Sequence, residues 1–387
     1  MHGLAAASLL CAVLSACSAT PSVDAGVDAG DGLDASVFVP THQRLLGLND
    51  VTFLLPLELL DAGTPFPPAV TMVPLSVFSR LTEAMPVVRT EPSRLRVLGV
   101  RFDLCDRSDG APCQADRDGV LRLVLQPVFG EPANVEDMTL HAFFPVPRAE
   151  VPELVDTLRG LAELQDVPRT APLQVTTAFS TSPAFRAGLG ALVARYAHAA
   201  QMFRMTLFGQ ETEHAAIVWA FRGEEMQNGQ FAPITIPGIA MTSQEVLLFG
   251  GDSYMVTPLV DEPAGFARVV METSFRNSTP AQQLESVRSL LIADNPLSQT
   301  ASTEQCVTCH VATNVLAVRA ADAGIDLGAL TERYTAPGFD LSVPPSNLRT
   351  RTLRALGYFG SFPILSQRVV NETAHVVEEM EQRLPPP

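Results

Sequence analysis

Short apolar runs, broken at intervals by Pro and Gly, constrain the fold of this chain more than any other feature. Runs of strand length recur at Val51–Leu57, Leu95–Leu104, Val120–Phe129 and Thr139–Val146. Leu121, Leu123 and Leu125 are interleaved with Arg122 and Gln126, the period of two expected of a half-buried strand. Further strands are expected at Gln174–Phe179, Phe203–Phe208, Ala215–Phe221 and Phe266–Phe275. Helical spacing marks Val151–Leu164, Ala184–Gln201 and Pro280–Ala293. Clusters such as Pro65-Phe66-Pro67-Pro68 interrupt regular structure. Residues 41–290 are therefore expected to form an α+β body with a mainly antiparallel sheet.

The chain has 387 residues, 47% hydrophobic and 18% charged, enough apolar matter for a large core and too much for global disorder. Its 26 basic residues are all Arg and face 42 acidic ones, for a net charge of −16. That balance excludes a general nucleic-acid binder, which needs clustered cations for phosphates. The sequence contains no Gly-x-Ser-x-Gly elbow, phosphate loop or His-Glu-x-x-His. His141, His198 and His214 are scattered and read as ordinary core or surface histidines.

Residues 3–16 form an apolar stretch of signal-peptide length that ends in small residues before Cys17. Leu14-Ser15-Ala16-Cys17 resembles the lipobox of bacterial lipoproteins. The resemblance implies that residues 1–16 are removed and that Cys17 carries lipid. The chain is then extracytoplasmic, held by that anchor to the outer membrane, and facing the periplasm or the cell surface. The absence of Arg or Lys before the apolar stretch departs from the usual pattern. Residues 17–40 are small and acidic, and they read as a flexible tether.

Cys105 and Cys113 lie close together in a polar stretch, and an oxidising compartment makes a disulfide between them the expectation. Near the other end, Cys306-Val307-Thr308-Cys309-His310 has the spacing of a c-type haem attachment site. Residues three and four apart share one face of a helix. Both thiols can then reach the two vinyl groups of one porphyrin while the His310 imidazole meets the iron. Rival readings are a structural disulfide, a thioredoxin-like dithiol and a metal site. Zinc needs four ligands and the motif offers at most three. A redox dithiol normally follows a strand, whereas residues 296–305 are polar and loop-like.

With these residues the segment 291–387 resembles a single-haem c-type cytochrome domain appended to a bacterial lipoprotein. The resemblance implies a small all-α fold, one covalent haem c on Cys306 and Cys309, His310 as proximal iron ligand, and electron transfer rather than catalysis. The distal ligand is less defined. No Met or His occurs between Val311 and Ala374, which leaves His375 and Met380 in the expected terminal helix Pro363–Arg383. Met380 falls on the apolar stripe and is the first choice; His375 falls with Glu372 and Glu379. A ligand from the preceding body, such as Met271 or His214, is a further option. Arg349, Arg351 and Arg354 are assigned to the haem propionates. An acidic carrier of this kind is expected to meet redox partners through basic patches. An open iron site, as in a haem peroxidase or haem-based sensor, is the alternative.

Overall fold

The computed structural model describes residues 40–59, 66, 68–83, 91–104, 117–211, 218–249, 253–300, 303–343, 353 and 355–383. Its strands are β1 (Thr52–Leu54), β2 (Leu95–Leu104), β3 (Arg117–Phe129), β4 (Asn134–Val135), β5 (Met138–Pro147), β6 (Arg204–Glu211), β7 (Val218–Gln227), β8 (Gln230–Pro233), β9 (Ser243–Phe249), β10 (Ser253–Thr257), β11 (Leu356–Phe359) and β12 (Phe362–Leu365). The helices are α1 (Ala69–Met72), α2 (Leu75–Glu83), α3 (Val151–Glu163), α4 (Ala178–Thr181), α5 (Pro183–Tyr196), α6 (Phe266–Val270), α7 (Glu272–Arg276), α8 (Pro280–Ala293), α9 (Cys306–Ala323) and α10 (Gln367–Arg383). The chain is α+β, as its pattern implies. One antiparallel sheet runs in the order β1-β2-β3-β5-β6-β7-β9-β10, with β4 beside β3 and β8 beside β7.

The two faces of this sheet differ because the strands alternate two kinds of residue. On one face Leu121, Leu123, Leu125, Leu140, Ala142, Phe144, Met205 and Leu207 are buried in a single core with Leu154, Val155 and Leu158 of α3 and Phe185 and Leu189 of α5. On the other face the register aligns Arg101, Arg122, Phe143 and Arg204 across four strands. Beside that row lie Gly99, Val124, His141 and Thr206, and then Thr139, Phe208 and Phe221. A face this polar cannot be sealed by apolar helices alone, and it becomes the wall of a cleft.

Two corrections concern the body. Phe266–Phe275, expected as a strand, forms α6 and α7, because its buried residues Phe266, Val269 and Val270 recur at helical spacing. Gln174–Phe179 makes only an isolated parallel bridge, Leu54 to Val175, before the chain turns into α4. The sheet also gains β9 and β10, which the sequence reading did not include.

The C-terminal segment departs from an all-α domain. The boundary expected between 290 and 291 lies inside one unit, Val39–Pro387. Residues Leu356–Phe359 and Phe362–Leu365 pair as a hairpin, so the last helix begins at Gln367 rather than Pro363. Gly357, at φ 134°, lets the hairpin lie against β3: a Cβ there would meet the Gln126 side chain, whose amide accepts from Tyr358 N at 2.7 Å and donates to Tyr358 O at 3.0 Å. Helix α10 then packs Val369, Val370, Ala374, Val377 and Met380 into the core shared with the sheet. A one-sided apolar stripe of this length needs a broad apolar surface, and the sheet supplies it. Among the described residues no helix is long and apolar enough to cross a membrane.

Candidate functional site

Helix α9 begins at the first cysteine of the motif. Its first turn is fixed from the sheet: Gln244 of β9 accepts from Val307 N at 3.0 Å and donates to Gln305 Oε1 at 2.7 Å. Gln305 in turn donates to Val260 O at 2.7 Å. The other end stops at Gly324, in the left-handed region at φ 64°. Val307, Val311 and Val315 anchor the helix in a second core with Trp219, Val246 and Phe266. The opposite side of the first turn presents Cys306, Cys309 and His310 to a cleft.

The cleft lies between the polar sheet face and α9, with about 1220 Å³ of atom-free space counting its open mouth. Strands β2, β3, β5, β6 and β7 contribute Arg101, Arg122, Thr139, His141, Phe143, Arg204, Thr206, Phe208 and Phe221. Above them stand Leu356, then Arg368, Val369 and Glu372 of α10, with Ile234, Ile236 and Pro237 at the side.

The His310 ring stacks on Phe208 with centroids 5.5 Å apart and meets Phe221 edge-on at 4.8 Å. Its Nδ1 is hydrogen-bonded to the carbonyl of Leu353. A carbonyl only accepts, so Nδ1 carries the proton and Nε2 keeps its lone pair. Burial pushes the pKa down to about 4, with the Leu353 contact opposing, so the ring is neutral at neutral pH. A neutral imidazole whose second nitrogen donates to a backbone carbonyl is the form that ligates iron. Cys306 and Cys309 are free thiols. Burial raises the Cys306 pKa to about 12, and burial followed by Glu304 raises that of Cys309.

Guanidinium groups give the cleft its positive side. Arg122 and Arg204 lie over the Phe143 ring, at 4.9 and 5.9 Å from its centroid. Arg101 is held by Asp103 at 2.5 Å and Glu372 at 2.8 Å. Arg368 is held by Glu372 at 2.5 Å and donates to Ala293 O and Gln299 O at 2.7 and 2.8 Å. Burial opposes ionisation of Glu372, yet Arg368 and Arg101 hold its carboxyl well below the usual range. Glu304 is buried with its nearest cation, Arg368, at 3.8 Å. Burial raises its pKa well above normal.

The structure brings the three motif residues together and separates the other candidates. Met380 is buried in the main core, and Met271 packs against the second core; neither lines the cleft. His375 faces Glu379 at 3.8 Å on α10. Cys17, Cys105, Cys113, His214, Arg349, Arg351 and Arg354 lie outside the described residues. The sequence reading missed Arg101, Arg122, Arg204 and Arg368 as cleft residues, and it passed over His141. A signal was present in β5, where Thr139, His141 and Phe143 alternate with the aliphatic or aromatic Leu140, Ala142 and Phe144.

Behind the cleft, α8, α9 and α10 meet at Asp294. Thr313 donates to its carboxylate at 3.1 Å and Asn371 to its backbone carbonyl at 2.6 Å. Burial raises its pKa to about 7, against the Thr313 hydrogen bond and Arg368. The folded chain thus binds a proton that the unfolded chain releases near pH 4, and this site loses stability as pH rises from about 4 to 7. His310 and His141, with lowered pKa values, act in the opposite direction over part of that window. The difference between Asp294→Asn and the parent isolates the carboxyl. In urea unfolding at a series of pH values, the variant should gain from little at pH 4 to as much as about 4 kcal/mol above pH 7. A difference independent of pH would contradict the assignment. Compared with known proteins, the chain matches no family model, no curated protein and no solved structure.

Proposed function

We propose that this chain is an exported, lipid-anchored electron-transfer protein carrying one haem c bound through Cys306 and Cys309, with His310 as proximal iron ligand. The observation that carries this reading is the convergence of both thiols and the Nδ1-anchored His310 on a single cleft wall. Cys306 and Cys309 are three apart in the first turn of α9, and His310 follows on the same side. A bound haem supplies a one-electron Fe(III)/Fe(II) couple. The chain's own residues do the rest. The thiols fix the group to α9, Leu353 orients the His310 ring, and Phe208 and Phe221 pack against that ring. Arg101, Arg122, Arg204 and Arg368 bring positive charge to the cleft, each paired with a carboxylate; Arg349, Arg351 and Arg354, proposed for the propionates, lie outside the described residues.

The thiol chemistry argues against a redox dithiol. Catalytic dithiols need a lowered thiol pKa, whereas burial here raises that of Cys306 to about 12. The resemblance to a small all-α cytochrome is confined to the attachment turn. The remaining walls of the proposed site come from the sheet and from α10. Anchoring at Cys17, placement outside the cytoplasm and salt-sensitive docking to basic redox partners complete the proposal. The test is a pyridine haemochrome spectrum of the chain made in a host with c-type maturation. One haem per chain, resistant to acid–acetone extraction, is the expected result; an extractable pigment or none would reject it.

A further inference from the structure

His141 stands in the middle of the sheet, paired across its strands with Val124 and Thr206. It is one row from Phe208 and Phe221, the rings against which His310 packs. His141 and His310 therefore enter the same cleft from different walls, one from β5 and one from α9. Among the described residues neither nitrogen of His141 has a hydrogen-bond partner; its ring contact is Phe143, with centroids 6.4 Å apart. His141 is half-buried on the wall of the cleft, and an imidazole there with no protein partner has its nitrogens available to a ligand. Burial, reinforced by Arg122, His310 and Arg101, keeps the ring neutral. Neutral imidazole is the form that donates a lone pair to a metal.

Among the described residues no competing side chain is placed as well; His214 lies outside them. Met380 is enclosed in the core, His375 faces Glu379, and Met271 packs against the second core. We propose that His141 is the distal ligand of the iron, so that the haem of the reading above is held between two imidazoles contributed by the helix and the sheet. This deepens that reading and rests on it. Two protein ligands close the iron to small molecules, which suits electron transfer and excludes peroxide chemistry. Two imidazoles also set a lower reduction potential than a Met/His pair, because Met ligation raises it.

The test uses the haem-loaded full chain. The parent is expected to be low-spin in both oxidation states and inert to carbon monoxide. His141→Ala should retain the covalent haem mass but become high-spin and bind carbon monoxide at once, and free imidazole should restore the low-spin spectrum. His141→Met should stay low-spin and gain a sulfur-to-iron charge-transfer band; it answers the same question if the Ala variant does not accumulate. A haem-loaded His141→Ala chain that remains low-spin, or a parent that already binds carbon monoxide, overturns the assignment of His141 alone. A parent without covalent haem mass overturns the haem reading together with it, and mass analysis separates the two failures.

Discussion

Truncating Arg368 to Ala is expected to destabilise the fold by about 3–5 kcal/mol, the penalty of breaking one side of a buried ion pair. The Arg368 side chain is 2% exposed and joins three elements. It holds Glu372 one turn along α10, the carbonyl of Ala293 at the end of α8, and the carbonyl of Gln299 beyond it. Glu304 has its nearest cation in the same guanidinium, at 3.8 Å. Without it, the carbonyls of Ala293 and Gln299 lose this donor and Glu372 keeps Arg101 as its hydrogen-bonded ion-pair partner. Arg368→Lys keeps the charge but not the planar fork, and should fall between the parent and the Ala variant. Urea unfolding at matched haem loading measures both. A loss below about 1 kcal/mol for Arg368→Ala would mean that the network is not coupled as described.

The double variant Cys306→Ala/Cys309→Ala is expected to lose all covalent haem, while each single variant keeps one thioether and shows a displaced haemochrome band. Both thiols line the cleft, so either alone reaches it. Neither is tied up in a disulfide. The side chains are small and half-buried, so loss of stability alone does not explain complete loss of pigment. Unfolding of the apo chains provides the control. A double variant that folds like the parent and retains acid-stable haem would place the attachment elsewhere.

Much of the fold was legible because strand and helix periods differ. The run Leu95–Leu104 became β2 and Pro280–Ala293 became α8, each with the bounds that its pattern and flanking residues suggest. The reading failed where apolar residues were counted without their spacing, as at Phe266, Val269 and Val270. It also failed at the hairpin Leu356–Leu365, where residues from Pro363 onward in the second strand were absorbed into the helix that follows. The attachment turn was legible because its chemistry is local to five residues. The cleft was not, because its walls are assembled by register. Arg101, His141, Phe208 and Arg368 meet only once β2, β5, β6 and α10 are in place. No window of sequence holds these residues together. The alternation in β5 distinguishes a polar face from an apolar one, but it does not reveal what covers the polar face.

Intact-mass analysis of the chain from a host with c-type maturation tests the central claim most directly. The expected spectrum shows the processed polypeptide plus the mass of one haem, in a species that absorbs in the Soret region and survives denaturation. A colourless polypeptide at its bare mass, from a host that loads a control cytochrome, would contradict it.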